Sequence, residues 1–155
     1  MILLLRVDHR LLHGQVAFAW TNTISADCIL IANDQVVHDD VRKTTMKLAK
    51  PAGTKLVIKN IADSIQAIQE GKTDKYKLLI VVESVEDAYK LATACQISSI
   101  NLGGTTVREG TRNISKVVNL TQQEEDLLEK LQQNHVEIEI RQVPNDKKIL
   151  YKRER

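Results

Sequence analysis

The sequence is poor in aromatic side chains, which make up 3% of its 155 residues. Apolar residues nevertheless account for 43%, so the core has to be built mainly from Leu, Ile, Val and Ala. Aliphatic interiors of this kind are typical of parallel α/β sheets covered on both faces. The composition therefore favours an α/β fold over a β-sandwich, and the length suits a single domain with a sizeable core.

Cysteine, net charge and long apolar runs are also scarce. Cys28 and Cys95 lie far apart without metal-ligand spacing, so we expect buried free thiols. The net charge is only +2, and the basic residues are dispersed except near the C-terminus, which argues against nucleic-acid binding. The apolar run at residues 1–5 is too short for a signal peptide or a membrane span. These features predict a cytoplasmic protein.

Motifs for the common cofactors are missing. No Gly-x-Gly-x-x-Gly follows the first predicted strand and no Walker lysine loop occurs, so neither a dinucleotide nor a nucleoside triphosphate is expected. His9 and His13 are four positions apart, a spacing that brings two imidazoles together only on a helix. Because a strand-to-helix corner is predicted between them, we expect no metal and no cofactor.

Short apolar runs bounded by turn residues predict buried strands at residues 3–7, 28–32, 55–58, 78–82 and 97–102. Stretches with helical periodicity alternate with them, after Gly14 and at about 35–50, 61–71 and 85–92. Right-handed crossovers between parallel strands would place helices on both faces of the sheet. We therefore predict a single α/β domain with a mainly parallel central sheet.

This alternation ends near residue 104. Residues 114–120 predict a strand reached without an intervening helix, which suggests an antiparallel or edge strand near the C-terminal part. Thr121-Gln-Gln-Glu124 is a capping-box sequence, and the helix that it starts should reach about Asn134. Alternating residues at 136–140 predict a half-exposed last strand. The domain should span residues 1–143, followed by a charged, loosely held tail at 144–155.

The most informative stretch is Arg6-Val7-Asp8-His9-Arg10-Leu11-Leu12-His13-Gly14-Gln15-Val16, which follows the first apolar run directly. Helical spacing after Gly14 places this motif at the carboxyl end of a strand, which is the ligand-binding edge of an open α/β sheet. At such a corner, the free backbone N–H groups of Gly14 and Gln15 could bind an anion.

Charged side chains strengthen the prediction of an anion site. Arg6 and Arg10 could each contact phosphate oxygens, while the positive helix end would help His13 to stay neutral and nucleophilic. This combination suits phosphoryl transfer through histidine, although a His at such a corner can also be an ordinary loop residue. Gly14 would leave room for a phosphoryl group and tolerate unusual backbone angles.

Two further polar segments end predicted strands at the same edge. Asn33 and Asp34 follow the second strand, where either could simply cap the next helix. Asn101-Leu102-Gly103-Gly104 ends the fifth strand. Its two glycines could let backbone amides approach a phosphate or a partner surface, or could only form a tight turn.

The histidine motif resembles the phosphorylation-site motif of the IIB component of the mannose/fructose/sorbose family of the bacterial sugar phosphotransferase system. In that family the His before Gly-Gln carries the phosphoryl group, which corresponds to His13 here. Similar segments occur in the same order at residue 20 and at 32–34, 47–51, 101–104, 121–125 and 141–144. The chain departs from the family at Thr105, where Met is common.

The resemblance implies a phosphotransferase. His13 would accept a phosphoryl group from a phosphohistidine of the IIA component and pass it to a sugar during uptake by the membrane IIC and IID components, with which the protein would associate peripherally. The sugar could be a mannose-type hexose, sorbose, fructose or an amino sugar, and a homodimer is possible. Residues that would bind phosphate or partners are Arg6, Gly14, Gln15, Asn33, Asp34, Asn101, Gly103 and Gly104.

The expected chemistry assigns a role to each central side chain. His13 would be the covalent nucleophile, and Arg10 would neutralise phosphate oxygens in a loose transition state. Asp8 would orient Arg10 or the imidazole, or take the sugar hydroxyl proton, while Arg6 could instead form a structural ion pair. Two rivals stay open: a non-catalytic α/β module that holds a phosphorylated ligand or regulatory partner, and a response-regulator receiver phosphorylated on Asp.

Overall fold

The computed structural model describes residues 1–154, and its elements alternate along most of the chain. The strands are β1 (Ile2–Asp8), β2 (Cys28–Ala32), β3 (Lys55–Lys59), β4 (Leu78–Val82), β5 (Ser99–Gly104), β6 (Arg112–Ser115), β7 (Val118–Leu120), β8 (Glu137–Ile140) and β9 (Ile149–Leu150). The helices are α1 (Gly14–Ile24), α2 (Asp40–Ala49), α3 (Ile61–Gln69), α4 (Val85–Cys95) and α5 (Gln122–Gln133), with a short 3-10 helix at Val36–His38.

The central sheet has seven strands in the order β3-β2-β4-β1-β5-β8-β9. Its pairs are parallel except for β8 with β9, and β6 pairs with β7 in a separate antiparallel ribbon. The buried side chains form one cluster with α3, α4 and α5 and another with α1 and α2. Helices therefore cover both faces, and the predicted fold class is confirmed. No helix within residues 1–154 is long and apolar enough to cross a bilayer.

Two predicted elements are divided in the structure. The helix expected at 35–50 consists of the 3-10 helix and α2, because Asp39 adopts an extended backbone and its side chain accepts a hydrogen bond from the Arg42 N–H. The strand expected at 114–120 is the β6-β7 ribbon, with the chain reversing at Lys116 and Val117. The antiparallel pairing was predicted correctly, whereas the continuous strand was wrong.

The end of the chain packs against the domain. β9 pairs with β8, and the buried Tyr151 donates its hydroxyl hydrogen bond to Glu125, while Arg153 forms ion pairs with α5. Burial and this hydrogen bond raise the pKa of Tyr151. The expectation of a loosely held tail is therefore wrong for residues 149–153, and Arg155 lies outside the described residues. β8 is also less exposed than predicted, because Glu139 is buried and paired with Arg141.

The strand order contains a topological switch point beside β1. β1 lies between β4 and β5. The chain leaves β1 toward β2 on one side, whereas it leaves β4 toward β5 and then β8 on the other. Such a reversal is the topological switch point at which open α/β sheets bind their ligands. The histidine motif begins at this point.

Candidate functional site

Asp8 is the centre of a charged cluster at the end of β1. Its carboxylate is fully buried, and Oδ2 lies 2.9 Å from Nε2 of His13 and accepts a 3.0 Å hydrogen bond from Nη2 of Arg6. Oδ1 accepts hydrogen bonds from the backbone N–H and Nε of Arg10, at 3.0 and 3.2 Å. A buried carboxylate is stable only when its charge is paired in this way. Asp8 therefore holds both arginines and the histidine in fixed positions.

The same contacts set the protonation state of Asp8. Burial alone would raise its pKa, but the hydrogen bonds from His13 and Arg10 and the charge of Arg6 outweigh burial and hold the pKa well below its usual range. Asp8 is thus ionised at neutral pH and is a poor acceptor for a substrate proton. This favours the orienting role predicted for Asp8 over the role of a base.

The contact with Asp8 also selects one tautomer of His13. An ionised carboxylate only accepts hydrogen bonds, so the nitrogen that faces it, Nε2, must carry the hydrogen. The other ring nitrogen, Nδ1, then has the free electron pair. Nδ1 has no partner within residues 1–154 and is not buried, and the side chain of His13 is 26% exposed. The structure therefore leaves Nδ1 as the ring nitrogen with an accessible free electron pair.

His13 is also the N-cap residue of α1. No side chain caps this helix end, and its first turn contains no acidic residue. Within residues 1–154, the backbone N–H groups of Gly14, Gln15 and Val16 have no acceptor. Gly14 has a φ of +31°, which an L side chain rarely adopts. The start of α1 thus offers free N–H donors beside the ring of His13, and helix ends of this kind can bind anions.

Arg10 supplies the exposed positive charge of the site. Its Nε is bonded to Asp8, which fixes the guanidinium, yet the side chain is 41% exposed. A guanidinium anchored on one side can still offer hydrogen-bond donors to an anion on the other. Arg10 therefore has donors free for an anion, and its contact with phosphate stays a prediction.

Arg6 has the structural role that the sequence left as its alternative. Its side chain is only 3% exposed. Besides Asp8, its guanidinium donates to Oδ1 of Asn101 at 2.7 Å and to the carbonyl of Arg141 at 3.3 Å. Burial lowers its pKa, and the charge of Asp8 opposes that shift. Arg6 is thus a buried counter-ion of Asp8, and Asn101, also fully buried, orients it.

Gly103 leaves room for Arg6. A Cβ on Gly103 would lie 2.1 Å from Cζ of Arg6, so a larger residue at this strand position would force the buried guanidinium to move. On Gly104 the nearest atom, Nδ1 of His9, would be 3.6 Å away, which is ordinary contact. The predicted glycine pair therefore has a steric reason at Gly103, and neither a tight turn nor a loop is present there because both glycines lie within β5.

This arrangement predicts that Gly103→Ala destabilises the protein by about 1 to 3 kcal/mol, the usual cost of overpacking an interior. The added methyl group must displace Arg6 from Asp8 or push β5 away from β1. Urea unfolding followed by the fluorescence of Trp20, which lies beside Arg6, would measure the loss. Gly104→Ala is the matched control and should cost clearly less; equal losses in the two variants would contradict the steric explanation.

Asn33 and Asp34 have capping contacts in the structure. Oδ1 of Asn33 accepts from the N–H groups of Gln35 and Val36, and Oδ1 of Asp34 accepts from the N–H of Ile61 at the start of α3. Within residues 1–154, neither side chain bonds to the Asp8 cluster. Asn33 is buried whereas Asp34 is exposed. A role for them in the phosphorylation pocket stays a prediction.

Sequence reasoning missed the support behind Arg6. The ring of Trp20 lies beside two guanidinium groups, with its centroid 5.3 Å from Cζ of Arg6 and 5.0 Å from Cζ of Arg141. Its Nε1 donates to the carbonyl of Gln142 at 2.9 Å. Cation–π contacts of this kind favour a fixed guanidinium. Trp20 and residues 141–144 had appeared only as part of the resemblance, and no local spacing links them to Arg6.

Comparisons with known proteins agree with this architecture. The family described as PTS system sorbose subfamily IIB component matches residues 2–152. The sorbose-specific EIIB component of Lacticaseibacillus casei is 32% identical over 147 residues, covering 94% of this chain and 90% of that protein. The crystal structure of the IIBSor domain of the sorbose permease from Klebsiella pneumoniae has a TM-score of 0.90 at 28% identity, covering 96% of this chain and 92% of that one.

The chain therefore belongs to the PTS sorbose-subfamily IIB component family. A longer relative, the mannose-specific EIIAB component of Escherichia coli strain K12, is 29% identical over 147 residues. That match covers 94% of this chain but only 46% of the relative. The chain thus spans about half the length of a protein whose name joins IIA and IIB.

Proposed function

We propose that the protein is a IIB phosphocarrier that accepts a phosphoryl group on Nδ1 of His13 from a phosphohistidine of a IIA component and delivers it to a sugar. The observation that carries this proposal is the hydrogen bond between Nε2 of His13 and the ionised Asp8, which leaves Nδ1 as the free nitrogen. Membership of the IIB family supports the same reaction class.

The cluster suits both directions of transfer. When Nδ1 takes the phosphoryl group and Nε2 keeps its hydrogen, the ring becomes positively charged, and the negative charge of Asp8 stabilises it. The backbone N–H groups at the start of α1 and the exposed donors of Arg10 can hold the phosphoryl oxygens. In a loose transition state, this positioning and electrostatic support is most of what a protein supplies.

Delivery reverses the first step at the same atom. The P–N bond to Nδ1 breaks and its electron pair returns to the ring, while a sugar hydroxyl oxygen forms the new P–O bond and its proton passes to water. Because the phosphorylated ring is positively charged, it leaves as a neutral imidazole, which is a good leaving group. Asp8 need not accept the proton, in agreement with its lowered pKa.

The partners must meet the protein on one surface. Donor and acceptor each have to bring a reacting atom within about 3 to 3.5 Å of the transferred group. We infer that IIA and the membrane IIC and IID components dock in turn at the carboxyl edge around His13, so that the protein associates only peripherally with the transporter. The name of the EIIAB relative, which joins IIA with IIB, supports a IIA component as donor.

A labelling experiment tests this function. Incubation with phosphoenolpyruvate, the general phosphotransfer proteins and the cognate IIA component should add one acid-labile phosphate per chain. No incorporation would favour the non-catalytic binding module, and an acid-stable, base-labile label would favour the receiver. Either result would overturn the proposal.

A further inference from the structure

A row of buried polar side chains crosses three neighbouring strands of the sheet. Arg6 on β1 is in register with Asn101 on β5, and Asn101 is in register with Glu139 on β8. All three residues are buried. Buried polar groups are stable only when they are paired. The cluster around Asp8 pairs Arg6 and Asn101, so Glu139 needs a partner of its own.

The partner of Glu139 is Arg141, two residues further along the chain. Oε2 of Glu139 lies 3.1 Å from Nε of Arg141, and Oε1 accepts a 3.2 Å hydrogen bond from Nη2. The side chain of Glu139 is 5% exposed and that of Arg141 is 24% exposed. A two-point contact of this kind fixes the plane of a guanidinium. Glu139 therefore determines where the guanidinium of Arg141 lies.

Arg141 in turn contacts the support of the Asp8 cluster in two ways. Its carbonyl accepts hydrogen bonds from Nη1 of Arg6 at 3.3 Å and from Nδ2 of Asn101 at 3.1 Å. Its guanidinium carbon lies 5.0 Å from the ring centroid of Trp20, and that of Arg6 lies 5.3 Å from the same centroid. Cation–π attraction depends on where the charge lies over the ring. A displaced Arg141 would therefore loosen both Arg6 and Trp20.

Trp20 connects this support to His13. Both residues belong to α1, with His13 as its N-cap, and their spacing of seven residues is about two turns, which places them on the same side of the helix. The side chain of Trp20 is 2% exposed, and its Nε1 donates to the carbonyl of Gln142, next to Arg141. The indole thus anchors α1 on the sheet, and with it the ring of His13 against Asp8.

We propose that the ion pair of Glu139 and Arg141 positions His13 for phosphoryl transfer. The pair acts through Trp20, which anchors α1, and through Arg6, the buried counter-ion of the central carboxylate. The proposal rests on the proposed function. Within residues 1–154, neither side chain of the pair bonds to His13, so its effect is on geometry. A misplacement of about 1 Å far from the chemistry can cost about 100-fold in rate.

The test measures phosphate uptake from a loaded IIA component together with the state of the His13 ring. Glu139→Gln keeps the shape of the side chain but removes its charge, whereas Arg141→Lys keeps the charge but loses the planar group. Each variant is assayed where its urea unfolding curve shows it folded. Both should lower the rate at saturating IIA by about 10- to 100-fold. The KM for IIA should stay unchanged, because the pair lies behind the site.

Nitrogen NMR of the His13 ring gives a readout that a loss of stability alone would not move. In the wild type, the carboxylate of Asp8 selects the tautomer with hydrogen on Nε2. A ring that no longer faces this acceptor should populate the other tautomer as well, and the signals of both ring nitrogens should shift. The variants are therefore expected to change the spectrum and the rate together.

Glu137→Gln is the matched control, since Glu137 lies on the same strand, is 46% exposed and pairs with Lys148. Its rate and spectrum should match those of the wild type. The positioning role is overturned if either pair variant, when folded, keeps the wild-type rate, or lowers it with a wild-type spectrum. A change in the KM for IIA alone would indicate docking and would overturn it too. Wild-type protein that cannot be loaded would instead overturn the proposed function.

Discussion

Protein carrying His13→Gln is expected to take up no phosphate from IIA. Glutamine has no nitrogen with a free electron pair at the place of Nδ1, so the covalent intermediate cannot form. Its amide N–H can still donate to Asp8, so the buried charge cluster and the fold should persist. Phosphate incorporation per chain, together with a urea unfolding curve, would measure both effects.

His38→Gln is the control for this experiment, because His38 is exposed on the 3-10 helix and, within residues 1–154, makes no hydrogen bond to the Asp8 cluster. It should incorporate the same phosphate as the wild type. Phosphorus and nitrogen NMR of the loaded wild-type protein should in addition place the label on Nδ1. Incorporation into the His13→Gln variant, or a label on Nε2, would contradict the assignment, since phosphorylation of Nε2 would break its contact with Asp8.

The variant Asp8→Asn is expected to lose both stability and activity. Removing one partner of a buried ion pair typically costs about 3 to 5 kcal/mol, and here it would leave Arg6, which is 3% exposed, without its counter-ion. The new amide would also face Nε2 of His13 with a donor or a weaker acceptor. That change favours the tautomer with hydrogen on Nδ1, and a comparable Asp-to-Asn change beside a catalytic His lowers the rate by about 10⁴-fold.

The stability lost in Asp8→Asn should be larger at neutral pH than in acid. The pKa of Asp8 is lowered in the folded state. Its carboxylate therefore stabilises the fold fully above the unfolded carboxyl pKa of about 4, and this stabilisation is lost as the pH falls toward the folded-state pKa. Urea unfolding at pH 7 and at about pH 3 should show the gap between wild type and variant shrinking in acid. A gap that stays constant would mean that the ionised carboxylate contributes little.

Asp126→Asn serves as the matched control, because Asp126 is 55% exposed and pairs with Arg153. Exposed ion pairs contribute about 0 to 1 kcal/mol, so this variant should unfold almost like the wild type at both pH values. A loss as large as that of Asp8→Asn would show that the assay does not distinguish the buried carboxylate from a surface one.

The sequence by itself determined the class of fold and the location of the histidine motif. Apolar runs of about five residues predict buried strands, and the segments between them have the periodicity of helices. Strands that alternate with helices in this way predict a parallel sheet. The Thr121 capping box was also predictable, and the structure contains both of its hydrogen bonds. Local patterns did not predict the break at Asp39, where an extended residue separates the 3-10 helix from α2 and its side chain caps α2.

Only the tertiary structure decided how the charges of the site are paired. Besides Asp8, the partners of Arg6 are Asn101 on β5 and the carbonyl of Arg141 just after β8, segments distant in the chain that the strand order β1-β5-β8 brings together. Tyr151 likewise reaches Glu125 only because β9 returns antiparallel to β8. Local sequence specifies which segments form strands and helices, but the partner of a buried charge is whichever side chain the strand order places next to it.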